Sequence, residues 1–172
     1  MLLTALFAAM VWWVGTGLVA LVVRRSEAGS AVLLQMLLLL GLSIAVVVVS
    51  ASTITAAGAL TAFVASVVIW GSLELAHLVG WLTGPQKQPC PDNLSGWPRF
   101  VRAVQVGLYH DLLILAVAAL LWLLVWQQPN QVAAATFTVL WLMRWSAKLN
   151  LYLGVANFDS ALVPDRMQYM AS

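Results

Sequence analysis

The sequence predicts an all-α, polytopic membrane bundle of about five transmembrane helices, and three observations carry that expectation. Of the 172 residues, 63% are hydrophobic and only 8% charged, whereas soluble domains carry about 25% charged residues. The apolar residues fall into runs of about twenty, the length that crosses a hydrocarbon core of about 30 Å at about 1.5 Å per residue. The eight cations are confined to alternate connections and the ends of the runs beside them. A net charge of +2 is too small to draw nucleic acid, and a single cysteine, Cys90, excludes an intrachain disulfide and a multi-thiolate metal site.

The elements follow in order as one membrane domain over residues 1–172, without internal repeats. The first run, 3–23, lacks a leading cation and a small-residue cleavage site, so it reads as a retained span rather than a signal peptide. Arg24, Arg25, Ser26, Glu27 and Gly29 make a polar turn, and 31–49 is a second span, interrupted only by Gln35 and Ser43 and expected to face lipid. After the uncharged turn Ser50 to Thr55, a third span over 57–82 contains Glu74 and His77, and Thr83-Gly84-Pro85 is expected to stop it. A proline-rich loop, 83–99, precedes a fourth span over 100–124 with His110 and Asp111. Gln127-Gln128-Pro129-Asn130 connects to the fifth, 132–155, and a tail follows over 156–172.

Positive charge is enriched on the cytoplasmic side of membrane proteins. With the N-terminus periplasmic and the C-terminus cytoplasmic, Arg24, Arg25, Lys87, Arg99, Arg102 and Arg166 fall in or beside cytoplasmic segments. Arg144 and Lys148 then lie in the cytoplasmic half of the last span, and the two outer connections hold no charge.

Charges inside spans are costly, about 3 kcal/mol each on insertion scales. Glu74 stands eight residues before Leu82, roughly 12 Å inside, with Asp111 at a similar depth from the other arm of the loop. Arg144 and Lys148 bracket that level, so two acids and two cations on three helices are expected to form a neutral network. His77 shares a helical face with Glu74, and His110 points about 100° away from Asp111. The polar group Glu74, His77, His110, Asp111, Arg144 and Lys148 then has two readings. It fixes helix packing, or part of it holds a pigment, a quinone or a partner's helix.

His77 and His110 are the candidate pigment ligands, although the residues four positions earlier, Leu73 and Val106, are larger than those light-harvesting helices place beneath a chlorin. No metal site is expected, because Glu74 and His77 offer two ligands on one face and a third would have to come from His110 or Asp111 on another helix. Trp12 and Trp13, next to Gly15 and Gly17, read as an interface pair or as a groove for a helix or flat ligand. Arg24, Arg25, Lys87, Arg99 and Arg102 are candidates for contact with lipid or a partner. Cys90, between Pro89 and Pro91, reads as an ordinary reduced thiol, and the Asn93-Leu94-Ser95 sequon as a chance match. No nucleophile with its base and no phosphate loop is visible, which argues against an enzyme.

Several stretches together resemble the PuhE family, photosynthetic complex assembly proteins of purple bacteria encoded beside the reaction-centre H subunit. They are Val11-Trp12-Trp13 with Thr16-Gly17, Trp70-Gly71 with Glu74, Gly80, Thr83-Gly84-Pro85, Cys90-Pro91, Arg99-Phe100 with Ala103, and His110-Asp111. The most specific is Leu140-Trp141-Leu142-Met143-Arg144 with Ser146-Ala147-Lys148-Leu149-Asn150 and Leu153-Gly154-Val155. Asp111 replaces a longer acid in the family, and the family pattern continues beyond Ser172 with further apolar segments, so a short or truncated form is expected. The resemblance implies an inner (intracytoplasmic) membrane assembly factor or accessory subunit. Its partners would be reaction-centre and core light-harvesting subunits and membrane lipid. No cofactor is required, and contact with bacteriochlorophyll, carotenoid or quinone stays open. The alternative is a chaperone or carrier for such molecules; a proton-coupled transporter is disfavoured by the absence of repeats and the balanced charges.

Overall fold

A computed structural model describes residues 2–25, 29–88, 91 and 96–152, without the side chains of 25 and 150–152. The expectations for Cys90, the 93–95 sequon, Arg166 and the rest of the tail therefore lie outside the described residues, as does the Arg25 side chain. The chain forms α1 (Leu2–Arg25), α2 (Ser30–Ala51), α3 (Ala56–Leu78), α4 (Gly96–Val106), α5 (Leu108–Leu124) and α6 (Val132–Tyr152). Among the described residues all regular structure is helical. Three helices, α1, α2 and α3, are long and apolar enough to cross a membrane, and α4 with α5 makes a fourth if that bent pair is counted as one span.

Around α3 the other long helices assemble. Small residues Ala62, Ala65 and Ser66 and the larger Ile69, Trp70 and Leu73 are buried along it. In a bilayer, packing and polar contacts between close helices replace the hydrophobic drive. α1 runs parallel to α3, with the Phe7 and Phe63 rings 6.5 Å apart and Gly15 and Gly71 leaving room for Val67 and Val19. α6 also runs parallel to α3: the Ser66 hydroxyl donates to the Ala133 carbonyl at 2.9 Å, and Trp70 meets Phe137 edge to face at 5.3 Å. α5 returns antiparallel beside α6, tied by Trp122 Nε1 donating to Thr138 Oγ1 at 3.0 Å. α2 is not wholly lipid-facing as expected: Ser43, Val47, Ser50 and Ala51 are buried where it packs on α3. At that end Asn130 joins two connections, donating from its backbone to the Ala51 carbonyl and from Nδ2 to the Ser50 carbonyl.

Two boundaries differ from expectation. α3 stops at Leu78 instead of running to Leu82, because Gly80 takes a left-handed φ of 83°. Gly80 N then donates to the His77 carbonyl and Trp81 N to the Ala76 carbonyl, the paired bonds that close a helix C-terminus around glycine. The Thr83-Gly84-Pro85 stretch serves the next turn. A Cβ on Gly84 would stand 1.8 Å from the Gln105 carbonyl oxygen, so only glycine lets this loop lie against the chain there, and Thr83 O accepts from Tyr109 N.

That contact sits where the expected span 100–124 breaks. Gly107 separates α4 from α5, and the two axes differ by 66°. The apolar run misled the count because Val101, Ala103, Val104 and Val106 surround Arg99, Arg102 and Gln105 on what is an amphipathic helix. α6 has the length of a span, yet it is not among the helices apolar enough to cross, and Arg144 and Lys148 are its charged residues.

Candidate functional site

The polar group collects at the end of the bundle where α3 finishes and α5 begins. Glu74 lies four residues, roughly 6 Å, before the last residue of α3, and Asp111 is in the first turn of α5. Both are shallower than a count along unbroken spans implies. The difference lowers the desolvation cost and places the Asp111 carboxylate at the positive end of the α5 dipole.

Arg144 reaches across from α6, and its Nη1 donates to both Glu74 oxygens at 2.8 and 2.9 Å. One turn along, the Lys148 ammonium donates to Asp111 Oδ2. Arg144 Nε also lies 3.6 Å from Asp111 Oδ1, which links the two ion pairs into one cluster on three helices. The formal charges of Glu74, Asp111, Arg144 and Lys148 cancel. All four side chains are a quarter exposed or less, Asp111 least at 9%. In that setting charge-assisted hydrogen bonds are much stronger than in water.

The histidines form a second layer. His77 and His110 stack with centroids 4.3 Å apart and planes 21° from parallel. His77 Nδ1 pairs with the Leu82 carbonyl at 2.7 Å, which requires the proton on Nδ1. His110 is fully buried, neither ring nitrogen has a hydrogen-bond partner, and its Nδ1 lies 3.8 Å from Asp111 Oδ1. A macrocycle could reach a His110 nitrogen only if the packing that buries it moved aside.

Gly107, Trp145 and the Leu82 carbonyl were not singled out from sequence. A Cβ on Gly107 would meet Lys148 Nζ at 3.4 Å and His77 Cε1 at 3.7 Å, so this glycine brings the α4–α5 bend against the cluster. Trp145 lies under Lys148 Nζ, 5.3 Å from its ring centroid. The three-residue spacing on α6 was the available signal for that contact.

The candidate contact residues lie apart from this cluster. Trp12 and Trp13 are exposed on α1, and nothing stands within 4 Å of where a Gly17 Cβ would be. Arg24, Lys87 and Arg99 are exposed; Arg102 is half-buried, with its Nε unpaired. Among the described residues no set of three histidine, cysteine or acidic side chains is placed to share a metal ion.

The sequence pattern of a family described as a protein of unknown function, DUF3623, matches residues 1–172. The chain belongs to the DUF3623 family. It is similar to an uncharacterized 30.4 kDa protein in the puhA 5′ region of Rhodobacter capsulatus, with 36% identity over 99% of this chain. The match spans 64% of that relative's length. No solved structure matches the chain. For this DUF3623 protein the structure thus supplies a charge-balanced cluster that can hold three helices in register.

Proposed function

We propose that this chain is an assembly factor or accessory subunit of a bacterial photosynthetic reaction centre–light-harvesting complex, acting by helix–helix and helix–pigment contact rather than by catalysis. The observation that carries this reading is the relative in the puhA 5′ region. That position agrees with the resemblance to PuhE proteins, encoded beside the reaction-centre H subunit. Its membrane is the inner, intracytoplasmic one, crossed by α1, α2 and α3, with α5 as a short fourth span and α6 as a fifth whose two cations are neutralised by Glu74 and Asp111. The 17 residues of α5 give about 26 Å, at the short end of what a span needs. The N-terminus is periplasmic. Supporting that orientation, Arg24 and the loop with Lys87 share the bundle end that holds Arg144 and Lys148, while the opposite connections are uncharged.

In this reading the ion cluster stiffens one end of the bundle, and the exposed face of α1 with Trp12 and Trp13 meets reaction-centre or core antenna helices. A shallow apolar depression lined by Phe7, Leu42, Val46, Leu60 and Val64 can seat a partner's side chains. The test is purification of photosynthetic complexes through a tag on this chain, alongside complexes from a deletion strain. Association with maturing or mature complexes, and their reduced yield on deletion, is the expected result. Unchanged yield with no association removes the reading, and fixed stoichiometry in mature complexes distinguishes subunit from transient factor.

A second reading, a bacteriochlorophyll or quinone chaperone, is favoured by the unpaired nitrogens of His110. It predicts pigment or quinone co-purifying with the isolated chain and lost in His110→Ala or His77→Ala. Equal binding by both variants makes these rings packing residues.

A further inference from the structure

The break at Gly107 leaves α4 as a helix whose purpose the ion cluster does not explain. It contributes no buried residue to the bundle, unlike α2, α3 and α5. The 66° bend turns α4 away from the direction of α5, toward the membrane plane where α5 spans the bilayer. At 100° per residue Trp97, Phe100, Val101 and Val104 fall within about 100° of one another, Arg99 and Arg102 lie on the opposite side with Val106 between them, and Gln105 flanks Val101. Trp97, at the aromatic edge of this apolar face, is 70% exposed and stands 5.2 Å from Phe100. The bend is built in: Gly84 lies against the Gln105 carbonyl and Thr83 O holds Tyr109 N.

We propose that α4 is an interfacial anchor, with its Trp97–Phe100–Val101–Val104 face in the acyl boundary of one leaflet and Arg99 and Arg102 at the phosphates of anionic phospholipid. An amphipathic helix with aromatics on one face and arginines on the other suits that layer. Charge points the same way: residues 80–107 carry Lys87, Arg99 and Arg102 against one acid, Asp92. The anchor also sets the depth of the ion cluster, since Asp111 follows the bend by four residues. This inference needs the membrane placement of α1–α3 and is independent of the photosynthetic reading.

The test uses the full chain with Cys90→Ser, reconstituted in nanodiscs of mixed phosphatidylglycerol and phosphatidylcholine, and nitroxide labels at Val101→Cys or, about 160° around the axis, Arg99→Cys. The label at 101 is expected to be relaxed by oxygen and shielded from a water-soluble nickel reagent, with the reverse at 99. Equal nickel access at both positions overturns the anchor, and so does shielding from both relaxants at 101, which would mean that protein covers the face. For the phosphates, retention of phosphatidylglycerol through mild detergent extraction is expected to fall about fivefold for each of Arg99→Gln and Arg102→Gln. Retention equal to the unsubstituted chain overturns the headgroup contact.

Discussion

Replacing Asp111 by asparagine tests whether the ion cluster works as one unit. The wild-type cluster sums to zero; Asp111→Asn leaves Arg144 and Lys148 facing Glu74 alone. Arg144 keeps both bonds to Glu74, at 2.8 and 2.9 Å, but loses the carboxylate 3.6 Å from its Nε. At an effective dielectric of about 20, that contact alone is a gross attraction of about 4–5 kcal/mol. Lys148 loses the opposite charge and keeps at best a neutral amide oxygen as acceptor. Against this, an asparagine is cheaper to bury than a carboxylate, so the net loss is about 3 kcal/mol, the range seen when one partner of a buried pair is removed. For a chain of this size that lowers the midpoint of thermal unfolding by about 6–12 °C. Lys148→Met leaves an excess negative charge and costs a similar amount. The double variant Asp111→Asn/Lys148→Met restores neutrality with the Glu74–Arg144 pair intact, and its loss is expected to be about 1–2 kcal/mol. Thermal unfolding of the four proteins in one detergent gives the cycle. A double variant whose loss equals the sum of the singles within about 0.5 kcal/mol would refute the linked cluster.

Two glycines near the site should behave oppositely. Gly84→Ala drives a Cβ into the Gln105 carbonyl at 1.8 Å and is expected to cost several kcal/mol and most of the folded yield, whereas Gly107→Ala has Lys148 Nζ at 3.4 Å as its tightest neighbour and should cost about 1 kcal/mol. Size-exclusion yield and thermal midpoint in one detergent compare them. Asn130→Ala removes the Nδ2 bond to Ser50 O and the cap its Oδ1 gives Val132 N, so a loss of about 2 kcal/mol is expected at the opposite end, additive with Asp111→Asn because the sites share no partner. Measured coupling between them would contradict a cluster confined to one end.

Legibility from sequence followed the physics of burial. Four ionisable groups inside apolar runs are so costly alone that pairing was the economical expectation, and the structure brings Glu74, Asp111, Arg144 and Lys148 together. Which acid meets which cation was not legible, since both acids share a level and only the rotation of α6 chooses between them. The α4–α5 break escaped a count of apolar residues, although the arginine spacing at 99 and 102 carried the amphipathic signal. Gly80 was passed over for the glycine and proline at 84 and 85, because composition does not say which glycine adopts a positive φ.

By itself the sequence determined a helical membrane chain with its positive charge gathered toward one end, because apolar run length and charge placement are read residue by residue. Only the tertiary structure decided that the two acids lie near helix ends rather than deep in the spans, that the two imidazoles stack, and that the segment before Gly107 leaves the axis of α5. The reason is that each of these depends on a close approach between segments distant in sequence. Gly84 against Gln105, Thr83 against Tyr109 and Arg144 against Glu74 are contacts that no local periodicity encodes.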